Sequence, residues 1–353
     1  MNPTEPVRNP FPPQSLARRV AGVTEHTASP IRVRPSVGRG IATWLLAALL
    51  VSIGVLAPWS FGRVDLPGGT QTPRWAAQNL QLSLLPPSWL SDEQVQQRVQ
   101  SAVQTGQYVP GRWLGTDRIG RDVFARLVAG SAISLTLGLC AAAAATMIGV
   151  VWGTVAAWFG GRVDAILMRS VDVMYALPSI LLATLLSVAV DGIADRSLQD
   201  VSPALRQLIN LLTMLVAVAG VGWLTMSRVV RGQVLSLRER PFVEAARAMG
   251  AGNRRIFWFH LLPNLAGPVA AYAALAVPAA ILSESFLSFL GIGIREPLPS
   301  LGNLAADGLP ELNLVKGRWW LLAPPCVVIA LALLSLNFAA DRLRDRLDPA
   351  SPG

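Results

Sequence analysis

The residues able to do covalent or metal chemistry are few in this chain, and their spacing is wrong for it. Only His26 and His260 exist, so a helical H-E-x-x-H zinc site is excluded. Cys140 and Cys326 lie far apart inside apolar runs and read as small core residues, not as a disulfide or metal pair. The single lysine, Lys316, stands between Val315 and Gly317, so no G-x-x-x-x-G-K-[ST] loop can cradle a phosphate. No glycine is followed two residues later by serine, which removes a G-x-S-x-G nucleophile elbow. The sequence therefore assigns no catalytic residue, no metal ligand set and no cofactor motif.

What the sequence does offer is a contact surface. Residues 241–264 read P-F-V-E-A-A-R-A-M-G-A-G-N-R-R-I-F-W-F-H-L-L-P-N. Pro241 suits a first helical position, where its missing N–H would be unpaired anyway. Glu244 falls in the first turn, where the helix dipole favours a carboxylate. Ala245, Ala246, Ala248 and Met249 are good helix formers, and Gly250 and Gly252 stop the helix. Asn253 is placed to cap a second helix over 254–262, after which Pro263 and Asn264 lead on. The small face of Ala245 and Ala246 permits close approach by a partner laid against it. The other reading is an amphipathic hairpin resting on lipid headgroups, with Phe257, Trp258 and Phe259 dipping in.

The elements that must position this segment are membrane spans. Of the 353 residues 52% are hydrophobic and only 14% charged, against about a quarter charged in ordinary soluble domains. Mean hydropathy is +0.46. Apolar stretches of about 20 residues cross a bilayer core, and six occur: 41–59, 131–161, 173–190, 208–227, 261–283 and 319–340. The third is interrupted by Pro178, which membrane helices tolerate. The formal charge of +9 comes from 29 Arg and one Lys lying between these runs, not from a clustered basic domain, so nucleic acid is not the expected partner. Arg8, Arg18, Arg19, Arg32, Arg34 and Arg39 precede the first span, and Arg228, Arg231, Arg238, Arg240, Arg247, Arg254 and Arg255 lie between spans four and five. Short loops on the other side lack such an excess, which places both termini in the cytoplasm by the positive-inside rule. The first apolar run starts too late for a signal peptide and is long enough to remain as an anchor.

The expected organisation is a flexible cytoplasmic tail (1–40), a first span (41–59) and a long periplasmic loop with an interfacial helix (60–130). Spans two to six follow (131–340) with the loop 228–264 among them, then a cytoplasmic C-terminal tail (341–353). Within the long loop, Asp117, Arg118, Arg121, Asp122 and Arg126 beside Val123, Phe124, Leu127 and Val128 make an amphipathic interfacial helix. Ser91 with Gln94 resembles a capping box, Val95, Val99 and Val103 share a helical face, and Gly106 ends that helix. This segment either touches a partner protein or is a plain surface insertion. Glu284 follows Pro263 by a length of helix that brings it close to the outer interface. It reads as a solvated interfacial acid or as a gate at a cavity mouth.

The 241–264 segment resembles the E-A-A-x3-G-x9-I-x-L-P loop of ABC-importer permeases. Glu244, Ala245, Ala246, Gly250, Leu262 and Pro263 fall in register, and His260 holds the consensus isoleucine position, as is common in the peptide-importer branch. Leu114, Gly115, Thr116, Asp117, Arg118, Ile119, Gly120, Arg121 and Asp122 are similar to the L-G-T-D-x-x-G-R-D run of one of the two permeases of dipeptide, oligopeptide and nickel importers. The runs S-F-L-S-F-L-G-I-G (285–293), P-L-P-S-L-G-N (297–303) and R-D-R-L-D-P (344–349) continue the likeness, which covers about 41–349. One departure is G-S-A-I-S-L at 130–135, which lacks the family's usual basic residue.

The resemblance implies an all-α, multi-pass protein of the bacterial inner membrane with the type I ABC-importer permease fold. It also implies partners: a second homologous permease, two cytoplasmic ATPases, a periplasmic or lipid-anchored substrate-binding protein, and membrane lipid. The chain would bind no cofactor itself, ATP and Mg being used by the ATPases. Glu244 would contact an ATPase and Gly250 form the bend. Cargo would be di- or oligopeptides, or alternatively nickel chelates or other small solutes, although no ligand cluster favours nickel. A secondary transporter expects ionisable residues at mid-membrane, and the six spans carry none. A membrane scaffold without transport is the remaining alternative.

Overall fold

The computed structural model describes residues 37–67, 69–197, 202–312 and 317–347, with backbone alone at 37–43, 194, 195 and 197. The chain divides after Gly40 into two units, 1–40 and 41–353. The expected tail up to residue 36, Lys316 and the end of the chain past Leu347 lie outside the described residues.

Among the described residues five helices are long and apolar enough to cross a membrane, or up to six if a bent pair is one span. They are α1 (Val37–Phe61), α3 (Val123–Phe159), the pair α4 (Gly161–Tyr175) and α5 (Ser179–Ser197), α6 (Pro203–Arg238), α9 (Leu262–Phe289) and α11 (Trp319–Leu347). Shorter elements join them. A hairpin of β1 (Arg63–Asp65) and β2 (Gln71–Pro73) and the helix α2 (Glu93–Gln104) fall between α1 and α3. The helices α7 (Pro241–Ala248) and α8 (Asn253–Ile256) precede α9, and α10 (Leu301–Gly308) precedes α11.

The third span differs from the sequence expectation. Residues 173–175 belong to α4, and the chain bends by 93° before α5 begins at Ser179. Pro178 has no N–H to continue the ladder, and its ring disfavours helical backbone at the residue before it. The other spanning helices run past their apolar stretches: α3 starts at Val123, and α6 continues three turns past Ser227 to Arg238.

The bundle is built on α3 against α6. Gly149 and Gly153 make the approach close, while Gly138 makes room for Ile281 of α9: a Cβ at Gly153 would stand 2.3 Å from the Ser227 carbonyl oxygen, and one at Gly149 2.6 Å from Met226 Cβ. Gly149 and Gly153 form a G-x-x-x-G spacing, which lets helix backbones meet where lipid supplies no hydrophobic drive. Ala141, Ala142 and Ala145 on the same helix, with Met214, Val218 and Ala219 of α6 and Ala280 and Leu287 of α9, complete the buried centre. By contrast α1 is largely bare, with Trp44 78% and Val55 69% exposed. Its far end is tied down, Ser60 Oγ donating to the Ala125 carbonyl at 2.7 Å.

Candidate functional sites: helical pair, opposite-end network and cavity

The α7–α8 pair closes one end of the bundle. Pro241 is the first residue of α7, with Arg240 at the cap, and Glu244 lies in the first turn. Gly250 has φ +81, a left-handed backbone that reverses the chain at little cost only for glycine. The second helix is capped by Gly252, with Asn253 already helical, so Asn253 is not the cap the sequence suggested. That helix is also not a separate short element. It passes through a π-helical turn, Phe257–Leu261, into α9, unbroken from Asn253 to Phe289. Such π turns are frequent at functional sites.

Of the sequence-matched residues, Ala246 faces inward with Val243, Ile256 and Leu261, packed on Trp158, Leu237 and Phe257. The expected face of Ala245 and Ala246 is thereby split, because residues one apart on a helix point about 100° away from each other. Glu244, Ala245, Ala248, Met249 and Gly250 are exposed, Pro263 is exposed, and Leu262 and His260 are half-buried. Glu244 makes no side-chain hydrogen bond or ion pair among the described residues. Trp158 and Phe257 meet edge-to-face at 4.9 Å, while Trp258 and Phe259 stay exposed.

Arginines fix this end to the neighbouring helices. Arg231 of α6 grips Asp164 of α4 with two bonds of 2.5 and 2.6 Å. Arg228 reaches Asp172 at 2.7 Å and lies 4.0 Å over the Tyr175 ring. Arg238 Nη1 donates to the Ala157 carbonyl at 2.5 Å. Charges that the sequence presented as topological are therefore also structural clamps.

At the opposite end, the L-G-T-D run is a tight turn that caps α3, not an interfacial helix. Gly115 and Gly120 have φ +81 and +76, and a Cβ at Gly120 would lie 1.8 Å from the Asn79 carbonyl oxygen, so no other residue fits. Thr116 Oγ1 donates to the Leu82 carbonyl at 2.6 Å and accepts from the Leu85 N–H at 2.8 Å. Asp117 Oδ1 accepts from the Arg121 N–H at 2.8 Å, and Oδ2 from Arg121 Nε at 2.6 Å and Arg126 Nη1 at 2.8 Å. Asp122 caps α3 by accepting from the N–H groups of Phe124 and Ala125. Leu114 packs on Val123 and Leu127. Every residue type in the motif thus has a partner within the chain.

Of the charged residues expected on a polar face, Asp117, Arg121, Asp122 and Arg126 are buried and Arg118 is exposed, which reverses most of the amphipathic reading. Arg126 is fully buried. Its Nη2 lies 3.6 Å from Glu296 and 3.7 Å from Asp307, near enough for attraction but beyond hydrogen bonding. Arg121 Nη2 donates to Glu296 at 2.8 Å. Burial pushes the Asp122 carboxyl up to about 6 against the pull of its two N–H donors. Asp307 is likewise pushed up to about 6, by burial first and then by the neighbouring Glu296 carboxylate.

Because the folded value for Asp307 exceeds the unfolded one, the folded state binds this proton more tightly. Its ionisation between pH ~4 and ~6 costs stability. Thermal melting in detergent should show this in the difference between wild type and Asp307→Asn: the wild type loses ground to the variant as pH rises from 4 to 7. Parallel curves would refute it.

Glu284 is fully buried, contrary to the solvated acid expected at an interface. Ser288 Oγ donates to it at 2.9 Å and Ser285 Oγ at 3.3 Å. Ser134 of α3 and Ser300 at the cap of α10 also hydrogen-bond to it. Serine hydroxyls from three elements satisfy the carboxylate where water would otherwise be needed. Position along the helix axis was legible in sequence, but this cradle, which joins α9, α3 and α10, was not.

The helix at 91–107 also differs in detail. Asp92, not Ser91, is its cap, accepting from the Val95 N–H at 2.9 Å. Its buried face is Val95, Val99 and Ala102 on Leu82 and Leu85, while Val103 is exposed.

A cavity of about 830 Å³ opens between α3, the α4–α5 bend, α6 and α9. Ala141, Ala145, Pro178, Leu182, Val221 and Leu275 are among its walls. Its polar lining is confined to Tyr175, Ser179, Thr225, Tyr272 and Ser283, with no charged side chain, and Glu284 is not part of it. This cavity is not legible in the sequence, where its one signal is the runs of alanine and glycine in α3. No group of three or more His, Cys, Asp or Glu that could hold a metal occurs among the described residues.

Known proteins resemble this chain along most of its length. A dipeptide transport system permease protein of Bacillus subtilis is 43% identical over 237 residues, covering 67% of this chain and 68% of that protein. An oligopeptide transport system permease protein of the same organism is 39% identical over 237 residues (67% and 71%). That of Escherichia coli K12 is 39% identical over 239 residues (68% and 72%). Among solved structures, an inward-facing form of the MetNI methionine ABC transporter matches with a TM-score of 0.50 at 18% identity, over 63% of this chain and 96% of that one. At that identity the likeness concerns the fold, the type I importer fold. The family model of the binding-protein-dependent transport system inner membrane component matches residues 145–351. With that match and these relatives, the chain belongs to the binding-protein-dependent transport family as a multi-pass inner-membrane permease component.

Proposed function

We propose that this chain forms half of the translocation pathway of an ATP-driven importer of di- or oligopeptides. A second homologous permease completes the pathway, and two cytoplasmic ATPases bind the ATP and Mg. A periplasmic or lipid-anchored binding protein delivers the peptide. The α7–α8 end then faces the cytoplasm and the L-G-T-D end faces outward, in line with the arginines of 228–264. The observation that carries this reading is the continuity of the exposed pair with the cavity wall. Glu244, Ala245, Ala248 and Met249 present an uncovered surface, while α8 runs unbroken into α9, and both α6 and α9 line the cavity. A push on the pair is thereby a push on two walls of the path, with Gly250 and the π turn as the places that bend. An uncharged lining suits cargo whose side chains vary, since no fixed charge selects against one sign.

The relatives named as dipeptide and oligopeptide permeases support peptides as the cargo. Reconstituted with its ATPases and binding protein, the complex should hydrolyse ATP faster when peptide-loaded binding protein is added, and should accumulate peptide. Solute movement by this chain alone, driven by an ion gradient, would overturn the assignment.

A further inference from the structure

The segment between β2 and α3 gathers its largest exposed side chains in one place. Trp89 is 63% exposed, Trp113 72% and Leu90 48%, and the coupling route uses none of them. They are held together: Trp89 Nε1 donates to the Trp113 carbonyl at 3.3 Å. The Trp89 ring lies 6.2 Å from that of Trp319, and Trp113 stacks on Phe124 at 5.8 Å. Phe124 in turn meets Trp59 at 5.8 Å. Trp319 opens α11, Phe124 lies in the first turn of α3, and Trp59 lies in the last turn of α1. Three spanning helices therefore fix the level of these rings, at the end of the apolar stretches of α1 and α11, where hydrocarbon gives way to headgroups. Arg74, 5.2 Å over the Trp59 ring, adds a cation at the same level. Contiguous exposed indoles are unfavourable in water but favourable at a bilayer interface, where the ring is buried and the N–H stays near polar groups. The buried face of α2 is covered within the segment by Leu82 and Leu85. Leu80 and Val103 are exposed as well, but the two indoles are the segment's largest exposed apolar side chains and the ones in contact with the helix ends.

We propose that Trp89, Leu90 and Trp113, continuous with Trp59 and Trp319, form a pad that seats this segment on the outer-leaflet headgroups of the lipid bilayer. Its partner is a lipid surface and not another protein. The pad requires only that α1 and α11 span the membrane, and so stands apart from the identity of the cargo. The assembled importer in nanodiscs of phosphatidylethanolamine and phosphatidylglycerol, with Cys140→Ala and Cys326→Ala, tests it. A nitroxide at Leu90→Cys should collide more often with oxygen, which concentrates in lipid, than with a neutral nickel chelate, which stays in water. Ser88→Cys supplies the reading if the first variant does not assemble. Collisions dominated by nickel would show a segment lifted into solvent and overturn the pad. A label shielded from both reagents would show a covering protein and overturn it equally. Uptake is not part of the readout, so a wrong cargo assignment leaves the result intact.

Discussion

Glu244→Lys should abolish peptide uptake while leaving the chain folded and inserted. The carboxylate is exposed in the first turn of α7 and has no side-chain partner among the described residues. Charge reversal there disturbs the helix dipole by about 0.3–1 kcal/mol, far too little to unfold the bundle. Against a docked ATPase the loss is larger. Truncating one side of a charge pair desolvated in an interface costs about 2–5 kcal/mol, more than about tenfold in affinity. Gly250→Val should act alike through the backbone. At φ +81 a side chain costs about 1–2 kcal/mol, more for a branched one, although a Cβ there meets nothing within 4 Å. The strain is relieved by opening the bend, which displaces Glu244 and Ala245 from the position in which the proposed coupling would hold them. Uptake assays paired with copurification of the ATPases decide the matter: normal uptake by both variants would exclude the pair as the coupling surface.

Arg126→Leu should be the most destabilising single change at the other end. Arg126 is fully buried and donates to Asp117 at 2.8 Å, with Glu296 and Asp307 beyond. Breaking a buried ion pair from one side costs about 3–5 kcal/mol, because the remaining charge is left uncompensated. The signature is non-additivity: adding Asp117→Asn to Arg126→Leu should restore part of the loss, since it removes one of the carboxylates left in surplus while Arg121 keeps Glu296 as a partner. Melting of the purified permease, followed by gel filtration, measures both variants. A wild-type melting point for Arg126→Leu would show that the network contributes nothing.

Sequence patterns with a local cause were legible. Spans are set by the length of an uncharged run against the thickness of a bilayer, and five of the six runs contain a single spanning helix. Pro241, Glu244 and Gly250 occupy the helical positions their chemistry favours, because caps, dipoles and left-handed turns act over a few residues. The glycines of the L-G-T-D run were visible as a motif, but their reason, the carbonyls of Leu85 and Asn79 at contact distance, comes from chain far away in sequence.

What the sequence alone determined about this protein is its class: a helical membrane chain with an E-A-A-type helical loop among arginines and no recognisable catalytic motif. Tertiary structure alone decided the outcome for charges near the membrane boundary. Amphipathic spacing placed Arg126 at an interface, and axial rise placed Glu284 near one as a solvated acid or a gate, whereas both are fully buried, one among carboxylates and one among serines. A charge's cost depends on what surrounds it, and those surroundings are supplied by α3, α9, α10 and the turn before α3 only once they pack. The same holds for Ala245 and Ala246: adjacent and alike in sequence, they part company because Trp158, Leu237 and Phe257 lie on one side of α7 alone.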